Sequence, residues 1–174
     1  MLTTIAIALA ALIAGLLIYA STKPDNFHVE RSVTIKVSAD KIFPLINDLH
    51  KWDAWTPYNK DPAMKKTFSG SESGQGAHYA WEGNKDVGKG EITLVATTPP
   101  NKLEFDLHMI TPFEGRNKAS FTLDAAGDAT KVTWSLDDKH NLLLKTMTIF
   151  MNMDNMIGKD FELGLERLKT VVEK

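Results

Sequence analysis

The order of hydrophobic periods along the chain constrains the fold more than any single motif. A short helix-like block is followed by six or seven strand-like blocks in which apolar and polar residues alternate, and one amphipathic helix closes the chain. An antiparallel sheet with one polar face has one face to bury, and the closing helix is available to cover it. Because a sheet wrapped around one helix tends to leave an apolar hollow, we expect the function there.

The first 22 residues carry no charged side chain, and residues 5–20 are apolar apart from Gly15 and the hydroxyl of Tyr19. At about 1.5 Å per residue, the stretch from Leu2 to Ser21 just crosses a hydrocarbon core of about 30 Å. We interpret residues 1–22 as an uncleaved single-pass transmembrane anchor and residues 27–174 as one domain. A cleaved signal peptide is one alternative, disfavoured because the segment has no basic n-region. A buried core helix is the other, disfavoured because the segment has no polar face. Lys23 is closely followed by Asp25, so the flanking charges leave the side of the membrane undecided.

Composition excludes several classes of site. All 20 Lys and Arg and all 22 Asp and Glu residues lie after residue 22, with a net charge of −2 and no basic run. The chain is therefore not expected to bind nucleic acid or to dock electrostatically on anionic lipid. The absence of cysteine excludes disulfides, thiol catalysis and thiolate metal sites. No two histidines have the spacing of a helical metal site, so we predict neither metal nor cofactor at His28, His50, His78, His108 or His140.

Strand and helix signals fill the rest of the chain. Residues 28–37 alternate as a first strand, and Ser38 fits the N-cap of a helix in which Pro44 is best tolerated if the helix starts a residue or two late. Six more alternating segments predict a meander of antiparallel hairpins: 64–69, 77–83, 87–97, 102–111, 116–124 and 130–137. The closing helix has one apolar stripe, formed by Ile157, Phe161, Leu165, Leu168 and Val172.

Several short strings, taken in order, resemble one known family. They are His28-Val29-Glu30-Arg31-Ser32, Trp52-Asp53-Ala54-Trp55-Thr56-Pro57, Trp81-Glu82-Gly83, Gly88-Lys89-Gly90, Pro112-Phe113-Glu114, Thr130-Lys131-Val132-Thr133-Trp134 and Gly158-Lys159-Asp160-Phe161-Glu162-Leu163-Gly164-Leu165. Over about residues 27–172 the chain resembles the polyketide cyclase/dehydrase and lipid-transport family of the START-like (SRPBCC) superfamily. The shared strings contain no catalytic motif, so no catalytic residue is transferred.

This resemblance implies a particular α+β architecture, the helix-grip fold. A curved antiparallel sheet of six or seven strands would grip the long C-terminal helix around a deep apolar cavity, here preceded by the N-terminal hydrophobic helix. The family is functionally diverse, so the resemblance implies the fold more strongly than any reaction.

One group of strand residues bears on catalysis. His78 and Glu82 share a strand face opposite Tyr79 and Trp81. We expect the polar face outward and the aromatic face inward; an inward His78–Glu82 pair, together with Tyr79, would instead support acid–base chemistry. The nearby string 88–90 lacks the helix that follows a phosphate-binding loop. We therefore expect a bulge or a close backbone approach there that makes room for the closing helix.

The walls of the expected cavity are apolar. We predict that its wall or mouth is formed by Trp55, Tyr79, Trp81, Phe105, Met109, Phe121, Trp134, Met147, Met151 and Phe161. The mouth is expected near Trp55, residues 81–86 and residues 147–153, where bulky apolar groups combine with loops. Methionine adapts its shape to irregular apolar ligands, so the Met-rich stretch is a gate in one interpretation and ordinary core in the other.

Three functions are compatible with these patterns. The leading hypothesis is a membrane-anchored START-like domain that binds an apolar small molecule or lipid in its cavity without catalysis. The first alternative is a cyclase, dehydratase or hydrolase that acts on an apolar substrate. The second is an interaction module of a membrane assembly, which would carry a large exposed apolar patch outside the cavity.

Overall fold

The computed structural model describes residues 1–139 and 142–174, so the histidine at position 140 lies outside the described residues. Four helices and one 3₁₀ helix accompany seven strands in the described part. The helices are α1 (Leu2–Ser21), α2 (Ala39–Asn47), the 3₁₀ helix (Leu49–Ala54), α3 (Leu142–Phe150) and α4 (Met153–Val172). The strands are β1 (Asn26–Ile35), β2 (Lys65–Gly70), β3 (Ala77–Glu82), β4 (Lys89–Thr98), β5 (Lys102–Thr111), β6 (Gly115–Ala126) and β7 (Ala129–Lys139).

The strands form one antiparallel sheet in the order β1-β7-β6-β5-β4-β3-β2. From β2 to β7 each strand pairs with the next one along the chain, as short hairpin connections require, and β1 pairs with β7. The predicted α+β architecture of an antiparallel sheet with a long C-terminal helix is confirmed. Strand ends shift by up to two residues from the predicted ones, since β1 ends at Ile35 and β4 begins at Lys89.

Helix α4 covers one face of the sheet, which we call the inner face. Its predicted stripe is confirmed, because Phe161, Leu165 and Leu168 are at most 2% exposed and Ile157 and Val172 pack against the same core. The opposing strand residues on the inner face are also buried: Leu103, Phe105, Ala119, Phe121, Leu123, Val132 and Trp134. Burial of this apolar area is the main stabilising contribution to the domain.

An ion-pair cluster attaches the first turns of α4 to the sheet. The guanidinium of Arg31 in β1 donates to Asp154 at 3.0 Å and to Glu162 at 2.8 Å. Its side chain crosses Gly158, where an added Cβ would lie 2.1 Å from the guanidinium nitrogen. The glycine in the family string therefore provides the space for this arginine.

Helix α2 departs from one detail of the prediction. Ser38 occupies the N-cap position as expected, but the helix starts directly after it, at Ala39. Pro44 therefore lies in the second turn, where it cannot donate a hydrogen bond to the carbonyl of Asp40. The apolar face of α2, with Ile42 and Ile46 fully buried, holds the helix on the sheet in spite of this lost bond.

Helix α1 is long and apolar enough to span a membrane, with a mean hydropathy of 2.4 over its most apolar window. Signal sequences and core helices share such length and composition. It does not resemble a core helix, because Ala20 is its one buried residue and the side chains of the others face outward or are only partly covered. Within the fold, α1 contacts α3.

Candidate ligand-binding site

Six aromatic side chains form a closely packed group on the inner face, which we call the aromatic cluster: Trp52, Trp55, Phe105, Phe121, Trp134 and Phe161. Each is at most 8% exposed. Trp134 is stacked between Phe121 and Phe161, with ring centroids 4.9 Å and 4.1 Å away. The indole of Trp55 donates to the carbonyl of Leu45 at 3.1 Å, so its polar atom is satisfied inside the core. This part of the inner face is filled by its own side chains.

Beside the cluster lies a second group of rings, the aromatic row, which is less covered. His50, Phe68, Tyr79 and Trp81 stack in that order, with successive centroid distances of 4.1, 4.9 and 5.7 Å. Phe68, Tyr79 and Trp81 come from β2 and β3 and are only partly buried. The row thus presents an extended apolar surface that the protein itself leaves partly open.

The position of Trp81 depends on a glycine in the neighbouring strand. Gly90 is paired with Trp81 in the sheet, and an added Cβ at residue 90 would lie 2.5 Å from the indole ring. The strand glycine makes room for Trp81, so the expectation that it makes room for the closing helix was wrong. The predicted irregularity is confirmed, since the register shifts between Lys89 and Gly90 and Gly88 has φ +70°.

Tyr79 provides a hydroxyl within the aromatic row. Burial, with a further contribution from the negative charge of Asp53, raises the pKa of Tyr79 to about 12, so the phenol is neutral at pH 7. Although burial opposes ionisation of Asp53, hydrogen bonds from Lys66 and Asn59 hold the pKa of this carboxyl below its usual value. Tyr79 can therefore donate or accept a hydrogen bond but does not act as a base at neutral pH.

A polar pair extends the inner face beyond the aromatic cluster. By the alternation of their strands, Asn117 in β6 and Asp138 in β7 lie on the inner face. In the sheet, Asn117 pairs with Leu107 of β5 and Asp138 pairs with Phe27 of β1. With the amide of Asn117 turned so that its nitrogen faces Asp138, the orientation that gives donors to acceptors, this nitrogen donates to both carboxylate oxygens at 2.9 and 3.0 Å. This wall therefore combines apolar surface with a carboxylate and an amide that can orient the polar end of a ligand.

The outer face of the sheet holds His78 and Glu82, the acid–base pair of the enzyme alternative. His78 Nδ1 lies 3.0 Å from Thr93 Oγ1, and Glu82 accepts from Lys89 at 3.3 Å. The expected orientation of β3, with its polar side chains outward, is confirmed. A hydrogen bond from His108, the next histidine on this face, lowers the pKa of Glu91. Among the described residues no group of three metal-ligating side chains is close enough to hold a metal ion.

A family model described as polyketide cyclase / dehydrase and lipid transport matches residues 26–173. The chain belongs to this family. A search of curated proteins finds no match to the sequence. The family assignment agrees with the expectation drawn from the short strings and covers the whole domain after the N-terminal helix.

Solved structures share the fold of this family member at low sequence identity. Ginseng major latex-like protein 151 from Panax ginseng has a TM-score of 0.63 at 15% identity, with 87% of this chain and 100% of that chain covered. The Aha1 dimer from Colwellia psychrerythraea gives 0.61 at 16%, covering 84% and 96%. A protein from Chromobacterium violaceum gives 0.60 at 10%, covering 87% and 99%. At such identities the likeness shows the fold alone.

The structure divides the predicted ligand-binding residues of this family member into three places. The aromatic cluster contains Trp55, Phe105, Phe121, Trp134 and Phe161. The aromatic row contains Tyr79 and Trp81, and partly buried Met109 in β5 pairs with Gly90, the sheet partner of Trp81. Trp55 is fully buried, so it does not border an opening as expected. Contact of these residues with a ligand stays a prediction.

Met147 and Met151 lie apart from both aromatic groups, in α3 and the turn that follows it. Met151 is 42% exposed, so it is not an ordinary core residue. It borders a groove of about 560 Å³ between the linker after α1 and the start of α4, which we call the linker groove. Its apolar lining consists of Pro24, Phe27, Ile149, Phe150, Met151 and Met153.

Sequence reasoning missed the polar pair and the ring of His50. Asp138 was overlooked because the predicted strand ended at residue 137, although the alternation through Trp134 and Leu136 continues to it. Asn117 has the parity of Phe121 and could have been placed in the same way. His50 gave no such signal, because its stacking on Phe68 joins the 3₁₀ helix to a strand that follows it in the chain.

Proposed function

We propose that this chain is a membrane-anchored member of its family that binds an apolar small molecule or lipid on the inner face of the sheet, without catalysis. The observation that carries the proposal is the aromatic row. Large apolar rings that remain partly open on the inner face of a sheet are a typical lining of small-molecule sites.

The ligand surface in this proposal is the aromatic row together with the inner wall beside it. The aromatic cluster is closely packed, so a ligand could enter it only if several rings moved. The row needs no such rearrangement. Leu107 and Met109 add partly buried apolar surface on β5, and the polar pair is next to Leu107 in the register. A ligand with an apolar body and one polar group fits this arrangement.

The absence of catalysis in the proposal rests on where the polar groups lie. His78 and Glu82 are on the outer face, opposite the aromatic row. The hydroxyl of Tyr79 is on the inner face, but its raised pKa leaves it protonated at neutral pH. The carboxylate on the inner wall, Asp138, is hydrogen-bonded to the amide of Asn117, so in this proposal the polar pair orients a ligand and does not act as a base.

The proposed anchor is α1, whose 20 residues form an apolar helix of membrane-spanning length. Apolar ligands are concentrated in the bilayer, so an anchored domain would remain close to their source. Burying apolar ligand surface favours transfer from water to the aromatic row by about 25 cal/mol per Å². It does not favour transfer from lipid, because the ligand is already out of water there. We therefore expect ligand exchange with the membrane to depend on specific contacts, including the polar pair.

The test is retention of lipid by the full chain. The protein would be purified in a detergent without an acyl chain, incubated with membrane lipid extract and analysed by native mass spectrometry. We expect a retained apolar molecule, and lower retention in Trp81→Ala than in the control Val95→Ala, because Val95 is an exposed residue outside the aromatic row.

Circular dichroism would first establish that each variant is folded. Absence of any retained molecule in the folded wild-type protein would contradict the proposal. Equal retention by the two variants would show that a ligand binds somewhere other than on the aromatic row.

A further inference from the structure

Helix α3 has its polar and apolar residues arranged opposite to those of a water-exposed helix. Its one charged residue, Lys145, is 8% exposed, whereas Leu142, Leu143 and Phe150 are 45%, 61% and 73% exposed. A surface helix of a soluble domain normally buries its apolar side and keeps lysine in water. The outer surface of α3 is therefore apolar and free of charge.

The buried charge of Lys145 is neutralised by the linker that follows α1. Its ammonium donates to the carboxylate of Asp25, and this contact lowers the pKa of Asp25. The ion pair holds α3 at the level where α1 ends. At the same level the ammonium of Lys23 lies 4.6 Å from the ring centroid of Tyr19. A tyrosine and a lysine at the end of an apolar helix are typical of the membrane–water interface.

Helix α3 contacts α1, and both helices carry exposed apolar side chains. The apolar surface of the proposed anchor thus continues onto the domain. We propose that α3 and the turn to Met151 lie in the interfacial layer of the bilayer that α1 crosses. The proposal rests on the anchor role of α1 proposed above, and it names the bilayer itself as the partner of the exposed patch.

This position gives the linker groove a role. The groove lies between the linker at Lys23 and Pro24 and the turn at Met151, so its opening would be at the lipid surface. Phe27 lines the groove and also packs against the hydrophobic core behind it. Phe27 thus joins the groove to the core, and in the sheet register it lies beside Asp138 of the polar pair.

The absence of cysteine makes the depth of α3 directly measurable. Three single-cysteine variants of the full chain would each carry a nitroxide label: Phe150→Cys in α3, Leu12→Cys in α1 and Leu163→Cys in α4. All three positions are exposed, so each variant is expected to fold. In phosphatidylcholine vesicles, collision rates with oxygen, which is enriched in lipid, and with a water-soluble nickel chelate would be measured for each label.

We expect the oxygen-to-nickel ratio at residue 150 to be well above that at residue 163 and below that at residue 12, because residue 12 lies at the middle of α1 and α3 lies at the interface. Leu143→Cys, a second site on α3, should agree with residue 150. A ratio at residue 150 like that at residue 163, with residue 12 in lipid, would overturn the α3 proposal and leave the anchor intact. Water-like ratios at both residues 12 and 150 would overturn the anchor and the α3 proposal together. Low collision rates with both reagents at residue 150 would show that protein covers the patch, which would also overturn the proposal.

Discussion

Single residues determine how the two aromatic groups share the inner face. Trp81 lies over Gly90, and a Cβ at residue 90 would be 2.5 Å from the indole and 2.8 Å from the carbonyl oxygen of His108. Gly90→Ala should therefore lower the free energy of unfolding by about 1–3 kcal/mol, the usual range for overpacking, and should change Trp81 fluorescence.

The control is Gly115→Ala, since a Cβ at residue 115 would have no atom within 4 Å. Urea denaturation would compare the two variants with the wild-type protein. The control should keep the wild-type midpoint. Equal midpoints for the two alanine variants would mean that the sheet shifts easily at β4 and that Trp81 is not held by this contact.

The second residue-scale prediction concerns the centre of the aromatic cluster. Phe161 is 2% exposed and its ring lies parallel to that of Trp134 at 4.1 Å. Phe161→Ala should lower the free energy of unfolding by about 3–5 kcal/mol, because it removes buried surface and leaves a cavity. Leu163→Ala, at a 43% exposed position of the same helix, should cost much less in the same denaturation experiment. A loss below about 1 kcal/mol for Phe161→Ala would contradict the packed core.

At this scale the sequence predicts which way a side chain points but not what it contacts. Alternation was enough to place Tyr79 and Trp81 inward and His78 outward. The contact between Trp81 and Gly90 depends on the register of β3 against β4, which neither strand specifies alone. For the same reason the polar pair could have been oriented from parity, while its hydrogen bonds could not have been predicted.

At the scale of elements, the next prediction concerns a contact between the paired strands β1 and β7 on the outer face of the sheet. His28 Nδ1 lies 2.7 Å from Asp137 Oδ1. The Asp137 carboxylate raises the pKa of His28 above its usual value, against an opposing effect of burial and with further help from Glu30. Protonated His28 thus favours the folded state. Its contribution is fully present below the unfolded-state pKa of about 6.5 and is lost as the pH rises through the higher folded-state pKa.

An NMR titration of the imidazole would measure this pKa directly. In Asp137→Asn the pKa of His28 should fall toward its usual value, and the difference in stability between pH 5.5 and pH 8.5 should become smaller. Both groups are substantially exposed, so the effect on the free energy of unfolding should be small and should weaken in high salt. An unchanged pKa in the variant would exclude Asp137 as the cause.

Elements differ in how far the sequence predicts them. The stripe of α4 was clear because all five of its residues face the core. Helix α3 was not predicted as a helix, since residues 142–153 are mostly apolar and show no clear period. The rule that apolar residues face inward then fails for α3, where Lys145 is buried and Phe150 is exposed. This rule describes domains surrounded by water, so it does not predict a helix whose exposed side chains are apolar.

For the whole molecule, the short connections in the sequence predict the order of the strands. They do not predict the contacts that attach the end of α1 to the domain. The link between Asp25 and Lys145 connects residues 120 positions apart. This link changes what truncation should do. A fragment of residues 26–174 keeps the sheet, the aromatic cluster and α4, so we expect it to fold cooperatively. It lacks Asp25, however, so the ammonium of Lys145 loses its carboxylate.

A fragment of residues 23–174 retains Asp25 and should therefore unfold at a higher urea concentration than the fragment of residues 26–174. Lys145→Met separates this cause from simple fraying of β1, because methionine fills similar space without a charge to be paired. We expect the substitution to bring the urea midpoints of the two fragments together, because neither then has an ion pair at residue 145. If Lys145→Met leaves the difference unchanged, fraying at the new N-terminus explains it and the ion pair contributes nothing. If neither fragment folds, contacts of α1 with α3 are required by the domain, and the N-terminal helix is part of the folding unit.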